Sequence, residues 1–405
     1  MMSKFFETLA SSVKERLSRR DLFKSTGLAA LAGLAGCGKI RGPEAHKDRI
    51  PIPTVQSIGV KPIINCWGTF THHSGNLLEP EVKKAMMKAT EQFVLMDELG
   101  EAVGRRLGEL TGAEWGIVTS GAAAALTAAT CACIVGTDPE KMLLLPYIED
   151  LKNEVVCKGF GTYTRAVWMV GVKMIVVKTR EEMEAAVNEK TAMMFGNSDD
   201  IIAVGKKYGI PILCDAAAEE PSVPNYHLQN GCDLVAYSGG KVLNGPQSSG
   251  LLIGRKDLCK AAWLNMAPHH AYGRPMKIDK EAIMGLLTAV DLWFNGRDHD
   301  AEWNEWEYRL DYIVKHISDV PTLKTHIEHN LPRGLGNKQP ILTITWDEES
   351  LKLTYEEAQK QLLNQDPRIS VMVSGGGLVI RPYQTQKDDE IRIASGFKKL
   401  FASVI

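Results

Sequence analysis

Beyond its first sixty residues the chain alternates short apolar runs with amphipathic stretches. Residues 113–120 (AEWGIVTS), 172–177 (VKMIVV), 192–197 (AMMFGN), 210–215 (IPILCD), 234–238 (LVAYS) and 250–255 (GLLIGR) are apolar and bounded by turn formers, which predicts buried strands. Between them, residues 122–136 (AAAALTAATCACIVG), 180–189 (REEMEAAVNE) and 200–209 (DIIAVGKKYG) read as helices, the last stopping at Gly209. Such alternation predicts an α/β architecture with a mostly parallel sheet and helices on both faces. From about Gly285 the pattern changes. Residues 291–310 (DLWFNGRDHDAEWNEWEYRL) are helical text rich in charge and tryptophan. Residues 340–346 (PILTITW), 370–373 (SVMV), 377–383 (GLVIRPY) and 390–394 (EIRIA) then read as the strands of a smaller α+β unit. This change predicts a large domain over 61–285 and a small C-terminal domain over 286–405.

The 405 residues carry a formal net charge of -2 and no polybasic arm, so nucleic acid is not an expected partner. The first 37 residues differ from the rest. Ser18-Arg19-Arg20-Asp21-Leu22-Phe23-Lys24 precedes a mildly apolar stretch too short to span a bilayer, and Leu34-Ala35-Gly36-Cys37 closes it. The first part resembles a twin-arginine export signal and the second a lipobox, whose cysteine would be lipidated. Residues 38–60 read as a tether and extended arm. The chain is therefore expected outside the cytoplasm, with a possible lipid anchor at Cys37 as its only membrane contact; a cytosolic amphipathic tail is the alternative. The other cysteines, Cys66, Cys131, Cys133, Cys157, Cys214, Cys232 and Cys259, sit mostly beside apolar residues, and no structural disulfide is expected.

Three strand ends carry candidate chemistry. At Thr119-Ser120-Gly121-Ala122 small residues lead into a helix, leaving open N–H groups and a hydroxyl suited to a phosphate. Asp215 ends an almost purely apolar strand, where a carboxylate needs a partner. Lys241 comes after Ser238-Gly239-Gly240 at the end of another, where burial can lower an amine pKa and make it a nucleophile toward a carbonyl. Each piece alone has an ordinary explanation, respectively a capped helix, a helix-capping Asp and a solvated strand end. Together, in that order, they match what pyridoxal 5'-phosphate requires: a phosphate cradle, a carboxylate for the pyridinium nitrogen and a Schiff-base lysine.

Residues 96–130, 214–219, 233–258 and 273–290 resemble the fold-type-I pyridoxal phosphate enzymes, specifically the selenocysteine synthase and D-glucosaminate-6-phosphate ammonia-lyase group. The resemblance implies a seven-stranded, mostly parallel sheet in the large domain and a homodimer or multiple of dimers. It implies that Lys241 binds the cofactor, that Asp215 pairs with the ring nitrogen, and that Ser120, Gly121, Ala122 and Ser238 hold the phosphate. It places Arg274 and Lys277 toward substrate or phosphate, and offers Arg381 or Arg392 as the small-domain grip on a substrate carboxylate.

The chain also departs from that pattern. The segment GTFTHHSGN has His72, with His73 after it, where lyase-type relatives carry Arg. The segment CKGFGTYTRAV has Phe160 and Gly161 where a Gly-His-Arg run is usual. Phe160 could stack on the cofactor but could not donate a proton, so the relatives' substrate does not transfer with the resemblance. An export signal is expected where the selenocysteine synthases carry a tRNA-binding domain. Trp293, Trp303 and Trp306 have the helical spacing of packing residues. The glycines at 375–377 lack the context of a phosphate loop, and His269-His270 lacks further ligands for a metal. The expected activity is a lyase of the α,β-elimination or deamination type acting on a small amino acid or amino sugar acid. A transferase on the same cofactor and a non-catalytic protein that keeps the cofactor are the alternatives.

Overall fold

A computed structural model of the protein describes residues 51–329 and 338–404. The expected export signal, with Arg19, Arg20 and Cys37, lies outside them. The chain up to Val60 forms a unit of its own, whose described part has one regular element, the 3-10 turn Gln56–Ile58. Among the described residues no helix is long and apolar enough to cross a membrane.

From Lys61 onward the strands, in chain order, are β1 (Ile64–Asn65), β2 (Trp115–Thr119), β3 (Glu154–Cys157), β4 (Lys173–Val176), β5 (Thr191–Phe195), β6 (Ile212–Asp215), β7 (Leu234–Ser238), β8 (Gly250–Gly254), β9 (Lys324–Glu328), β10 (Ile341–Thr345), β11 (Ile369–Ser370), β12 (Met372–Ser374) and β13 (Gly377–Ile380). Seven of them build the large sheet in the order β2-β8-β7-β6-β5-β3-β4. The pairs from β7 through β4 are parallel, and β8 runs antiparallel to both its neighbours. The strand β3 carries only two branched apolar residues before a cysteine, too short a run to stand out in the sequence. Parallel strands need long crossovers, so the helices between them cover the sheet faces. The helix Ala122–Val135 is buried nearly all round, and its alanines let it lie close to the strands.

The reversal at β8 positions the site. Residues 239–249 carry no helix and fold straight back from β7 into β8, so Lys241 stays at the carboxyl end of β7. The register pairs Gly250 with both Thr119 of β2 and Ser238 of β7, and Asp215 of β6 with Ala236 of β7. The three strand ends with candidate chemistry therefore meet at one rim of the sheet, where open α/β sheets bind ligands.

A second, smaller core gathers around the antiparallel sheet β12-β13-β10-β9. Ile64 and Cys66 join it, because β1 pairs in parallel with β11. Two expectations are corrected here. Residues 390–394 (EIRIA) are not a strand but the start of the helix Asp389–Ala402. Five residues of alternation mimic a strand, but Ile393, Ala394, Phe397, Leu400 and Phe401 form one helical face and are all buried, while Ile391 is exposed. Truncating a buried Phe such as Phe397 to Ala in such a core costs about 3–5 kcal/mol. Residues 370–373 (SVMV) are likewise not one strand. Ser370 ends β11 beside β1, Val371 intervenes, and Met372 starts β12 on the other sheet. The charged, tryptophan-rich text is two helices, Lys280–Asn295 and His299–Ile317, the second capped by Asp298.

Candidate active site

The helix Ala122–Val135 begins without a side-chain cap, so its first N–H groups are open to a ligand. Gly121 sits at φ +87°, a conformation that side chains rarely tolerate. A side chain on Gly250 would collide with the backbone of Gly121 and Ala122. Thr119 Oγ1 donates to the Gly121 carbonyl at 2.9 Å, closing the turn. The result is a cradle of main-chain donors beside Ser120 at the positive end of a helix.

On β6, Asp215 Oδ1 accepts a hydrogen bond from the Ala217 N–H at 3.1 Å. Burial raises the pKa of this carboxyl, and neither that bond nor the nearby Lys241 charge offsets the effect. Burial lowers the pKa of the Lys241 amine, with Asp215 opposing the shift. Both groups are thus pushed toward their neutral forms, and neither fully compensates the other. Such a carboxyl suits a cationic ring nitrogen, and such an amine suits attack on an aldehyde. The amine is expected to react with a lysine-directed acylating reagent at lower pH than an ordinary lysine of pKa 10.5, because its neutral form appears earlier on the pH scale. Peptide-resolved mass spectrometry over a pH series measures this. A Lys241 midpoint at or above the ordinary value would contradict it.

These groups face one cavity of about 1130 Å³, lined by Ser120, Gly121, Ala122, Asp215, Ser238 and Lys241. Six of the seven large-domain residues expected to hold the cofactor come together there, and Phe160 does not. Gln247 lines the same cavity, and its Oε1 is buried with no hydrogen-bond partner among the described residues. Gly75 and Gly240 both lie against this amide, and a side chain on either would run into it. The unpaired carboxyl, the neutral-leaning amine, the open helix start and the orphaned amide oxygen fit pyridoxal phosphate.

Other expected residues are not brought to the cavity wall. Phe160 is 48% exposed, and its ring meets the edge of Trp168. The ring over Lys241 is that of Tyr163, whose centroid lies 6.0 Å from Nζ. Tyr163 lies three residues beyond Phe160 in the same loop, and its phenol was the signal to weigh, since it combines a stacking face with a proton. His72 is exposed and contacts the rings of Trp67 and Phe70. Its neighbour His73 stacks on Trp67 and bonds Ser370 Oγ at 2.9 Å. Arg274 is exposed and donates to the Pro268 carbonyl, and Lys277 is exposed as well. Arg392 pairs with Asp389 on the outside of its helix, 59% exposed. Arg381 is half-buried over the Phe70 ring, with Nε buried and unbonded. Thr71, Asn76, Arg165 and Gln247 also line the cavity and carried no signal in the sequence. Trp303 and Trp306 line a separate hollow of about 350 Å³, and Trp293 is buried with its Nε1 donating to the Pro221 carbonyl. Among the described residues no group of His, Cys, Asp and Glu could hold a metal ion, and the seven cysteines are free thiols.

The family described as "SelA: L-seryl-tRNA selenium transferase" matches residues 186–304. The D-glucosaminate-6-phosphate ammonia lyase of Salmonella typhimurium (strain 14028s / SGSC 2262) is 33% identical over 298 residues, 68% of this chain and 78% of that protein. The 5'-C-glycyluridine monooxygenase-decarboxylase of a Streptomyces species is 32% identical over 260 residues, 58% of this chain and 64% of that protein. A solved structure of D-glucosaminate-6-phosphate ammonia-lyase matches with a TM-score of 0.76 at 27% identity, covering 88% of this chain and 100% of its own. The chain belongs to the family of fold-type-I, pyridoxal phosphate-dependent enzymes that includes the SelA selenium transferases and the D-glucosaminate-6-phosphate ammonia lyases.

Proposed function

We propose that the protein is a pyridoxal phosphate-dependent lyase of the α,β-elimination type acting on a small amino acid or amino sugar acid: the Cα proton and a β-substituent leave, and water hydrolyses the released enamine to a keto acid and ammonia. The observation that carries this reading is the meeting of Lys241, Asp215 and the Ser120–Gly121–Ala122 turn in one cavity. Ser120, Gly121, Ala122 and Ser238 hold the phosphate through N–H and hydroxyl donors. Asp215 keeps the ring nitrogen protonated. Lys241 would hold the cofactor through its amine and, once that amine is free, would take the proton from the substrate Cα. Bound there, the cofactor would supply an electron-poor ring able to take up the charge left on Cα. Tyr163 lies on the Lys241 side of the cavity, with a hydroxyl able to return a proton.

Arg381 is the better candidate for the substrate carboxylate. Burial lowers its pKa, it has no acidic partner among the described residues, and a carboxylate would supply one. Arg392 already has Asp389. Arg381→Met is expected to raise KM by about 10- to 100-fold, the size of a lost charge-assisted hydrogen bond. Arg392→Met is expected to leave KM within about twofold, as befits an exposed ion pair. Equal effects from the two substitutions would contradict the assignment.

A panel of D- and L-amino acids and amino sugar acids, assayed for ammonia and keto acid release, tests the reaction. Release from one amino substrate alone supports the lyase. Release only with a second substrate turns the reading toward transfer, which the family description itself favours. Tight binding of an amino compound with no product would leave a non-catalytic binding protein.

The enzyme acts as a homodimer or a multiple of dimers. Supporting this, Phe93, Leu95, Leu143 and Tyr147 are exposed, as are Tyr163 and Trp168 at the cavity wall. Export by the twin-arginine route, with Cys37 as a lipid anchor, rests on the sequence motif alone. Loading of the cofactor before export is consistent with that route.

A further inference from the structure

Lys241 sits in a turn with no strand partner, and the turn is gripped from outside. Within it, the Asn244 N–H donates to the Lys241 carbonyl at 3.0 Å and the Gly245 N–H to the Gly239 carbonyl at 2.8 Å. Asn244 adopts φ +51°, and its amide is held on both sides, donating to Glu79 Oε1 at 3.1 Å and accepting from Gln384 Nε2 at 3.2 Å. The carbonyl of Val242, the residue directly after Lys241, takes two donors: Arg297 Nη1 at 2.7 Å and the Tyr383 hydroxyl at 2.8 Å. Val242 is 1% exposed, so this carbonyl has no recourse to water.

The grip is costly to build. The Arg297 side chain is only 7% exposed, and a buried guanidinium needs every donor matched. Its Nε and Nη2 form a fork with Glu302 at 2.7 Å each, Nη2 also reaches the Tyr383 hydroxyl at 3.3 Å, and its face lies over Trp293 at 4.8 Å. Arg297 comes from the break between two helices and Tyr383 from the 3-10 turn Pro382–Gln384, so they lie 55 and 141 residues from Val242. One backbone donor would satisfy the carbonyl. Two side chains from distant elements, one of them a buried cation, do more than that: they leave the Val242–Leu243 peptide, one link beyond Lys241, a single orientation.

We propose that Arg297, with Tyr383, is a positioning residue that acts through the Val242 carbonyl to aim the Lys241 amine into the cavity. This rests on Lys241 being the reactive amine, as proposed above. The amine has to move between the cofactor and the substrate Cα while its own Cα stays fixed. Misplacing such a group by about 1 Å can cost on the order of 10²-fold in rate.

The test uses the full-length protein with Arg297→Lys, Tyr383→Phe and the double substitution. Each single change is expected to lower kcat about tenfold with KM within about threefold, because the reacting group and not the binding surface is displaced. Acylation of Lys241 in the cofactor-free chain, read by peptide mass spectrometry, is expected to change at least about threefold while the surface lysines keep their rates. The double substitution is expected to fall well short of the product of the singles, since both donors act on one carbonyl. Variants with a lower Tm but unchanged Lys241 acylation and kcat would overturn the proposal, leaving Arg297 a packing residue. Tyr383→Phe, which removes a single oxygen, carries the test if Arg297→Lys does not fold. Absence of any reducible cofactor link to Lys241 in the native protein would defeat the lyase reading separately, while the acylation comparison would still decide the grip.

Discussion

Lys241→Ala is expected to lower kcat by about 10³-fold or more, since it removes both the anchoring amine and the base at Cα. The same side chain is proposed for two steps, so no neighbour can replace it. Asp215 is a carboxyl pushed toward its protonated form, and Tyr163 is a phenol whose ring centroid lies 6.0 Å from the amine. The variant is expected to keep its fold, because among the described residues Lys241 makes no ion pair that holds other elements together; its charge is instead disfavoured by burial. Borohydride treatment of the native protein with added cofactor should leave a reduced cofactor mass on the peptide carrying Lys241, and none in the variant. A variant that retains turnover, or a cofactor mass on another lysine, would overturn the role.

Asp215→Asn is expected to separate activity from stability. The substitution keeps the shape and the acceptor for the Ala217 N–H, and removes only the charge. Loss of the ring nitrogen's partner should lower kcat by about 10²- to 10³-fold, the range seen for one preorganised electrostatic contact in a site. In the cofactor-free protein the sign reverses. The folded-state pKa of Asp215 is raised above its ordinary 3.8, so ionising it costs the folded state more than the unfolded one. That cost starts as pH rises above 3.8, grows until pH passes the raised value, and is constant beyond it. The Asn variant should therefore match the native cofactor-free protein at the acid end of this window and exceed it in Tm near neutral pH. Added cofactor should stabilise the native protein more than the variant. An Asn variant with full activity, or one less stable than the native protein at neutral pH without cofactor, would remove Asp215 from the site.

The gain in stability expected on losing that charge has a structural parallel in the rest of the site. Asp215, Lys241, Arg381 and the Gln247 amide oxygen are all polar groups whose burial is poorly offset by protein partners. In a packed fold such groups are few, because each costs stability. Three of them, Asp215, Lys241 and Gln247, line one cavity, as expected of a site built for a charged, aromatic, carbonyl-bearing ligand.

The amino-acid sequence by itself determined the parts of this protein that depend on neighbours in the chain. Apolar runs ended by Asp215, by Ser238 and by Thr119 became β6, β7 and β2, and the order of a phosphate turn, a carboxylate and a lysine named the cofactor. Those signals are local: a strand is a few residues of side-chain pattern, and the group at its end is carried by the adjoining residues. Only the tertiary structure decided what depends on distant pairs. It set Tyr163 over Lys241 and left Phe160 outside, separated Arg381 from Arg392 by burial, and turned residues 390–394 into a helix whose core face needed Phe397 and Phe401 to be recognised. It also brought Arg297 and Tyr383 onto the carbonyl beside Lys241. A main-chain oxygen leaves no mark in the sequence, and a hydrogen bond to it across 141 residues exists only once two cores have packed together.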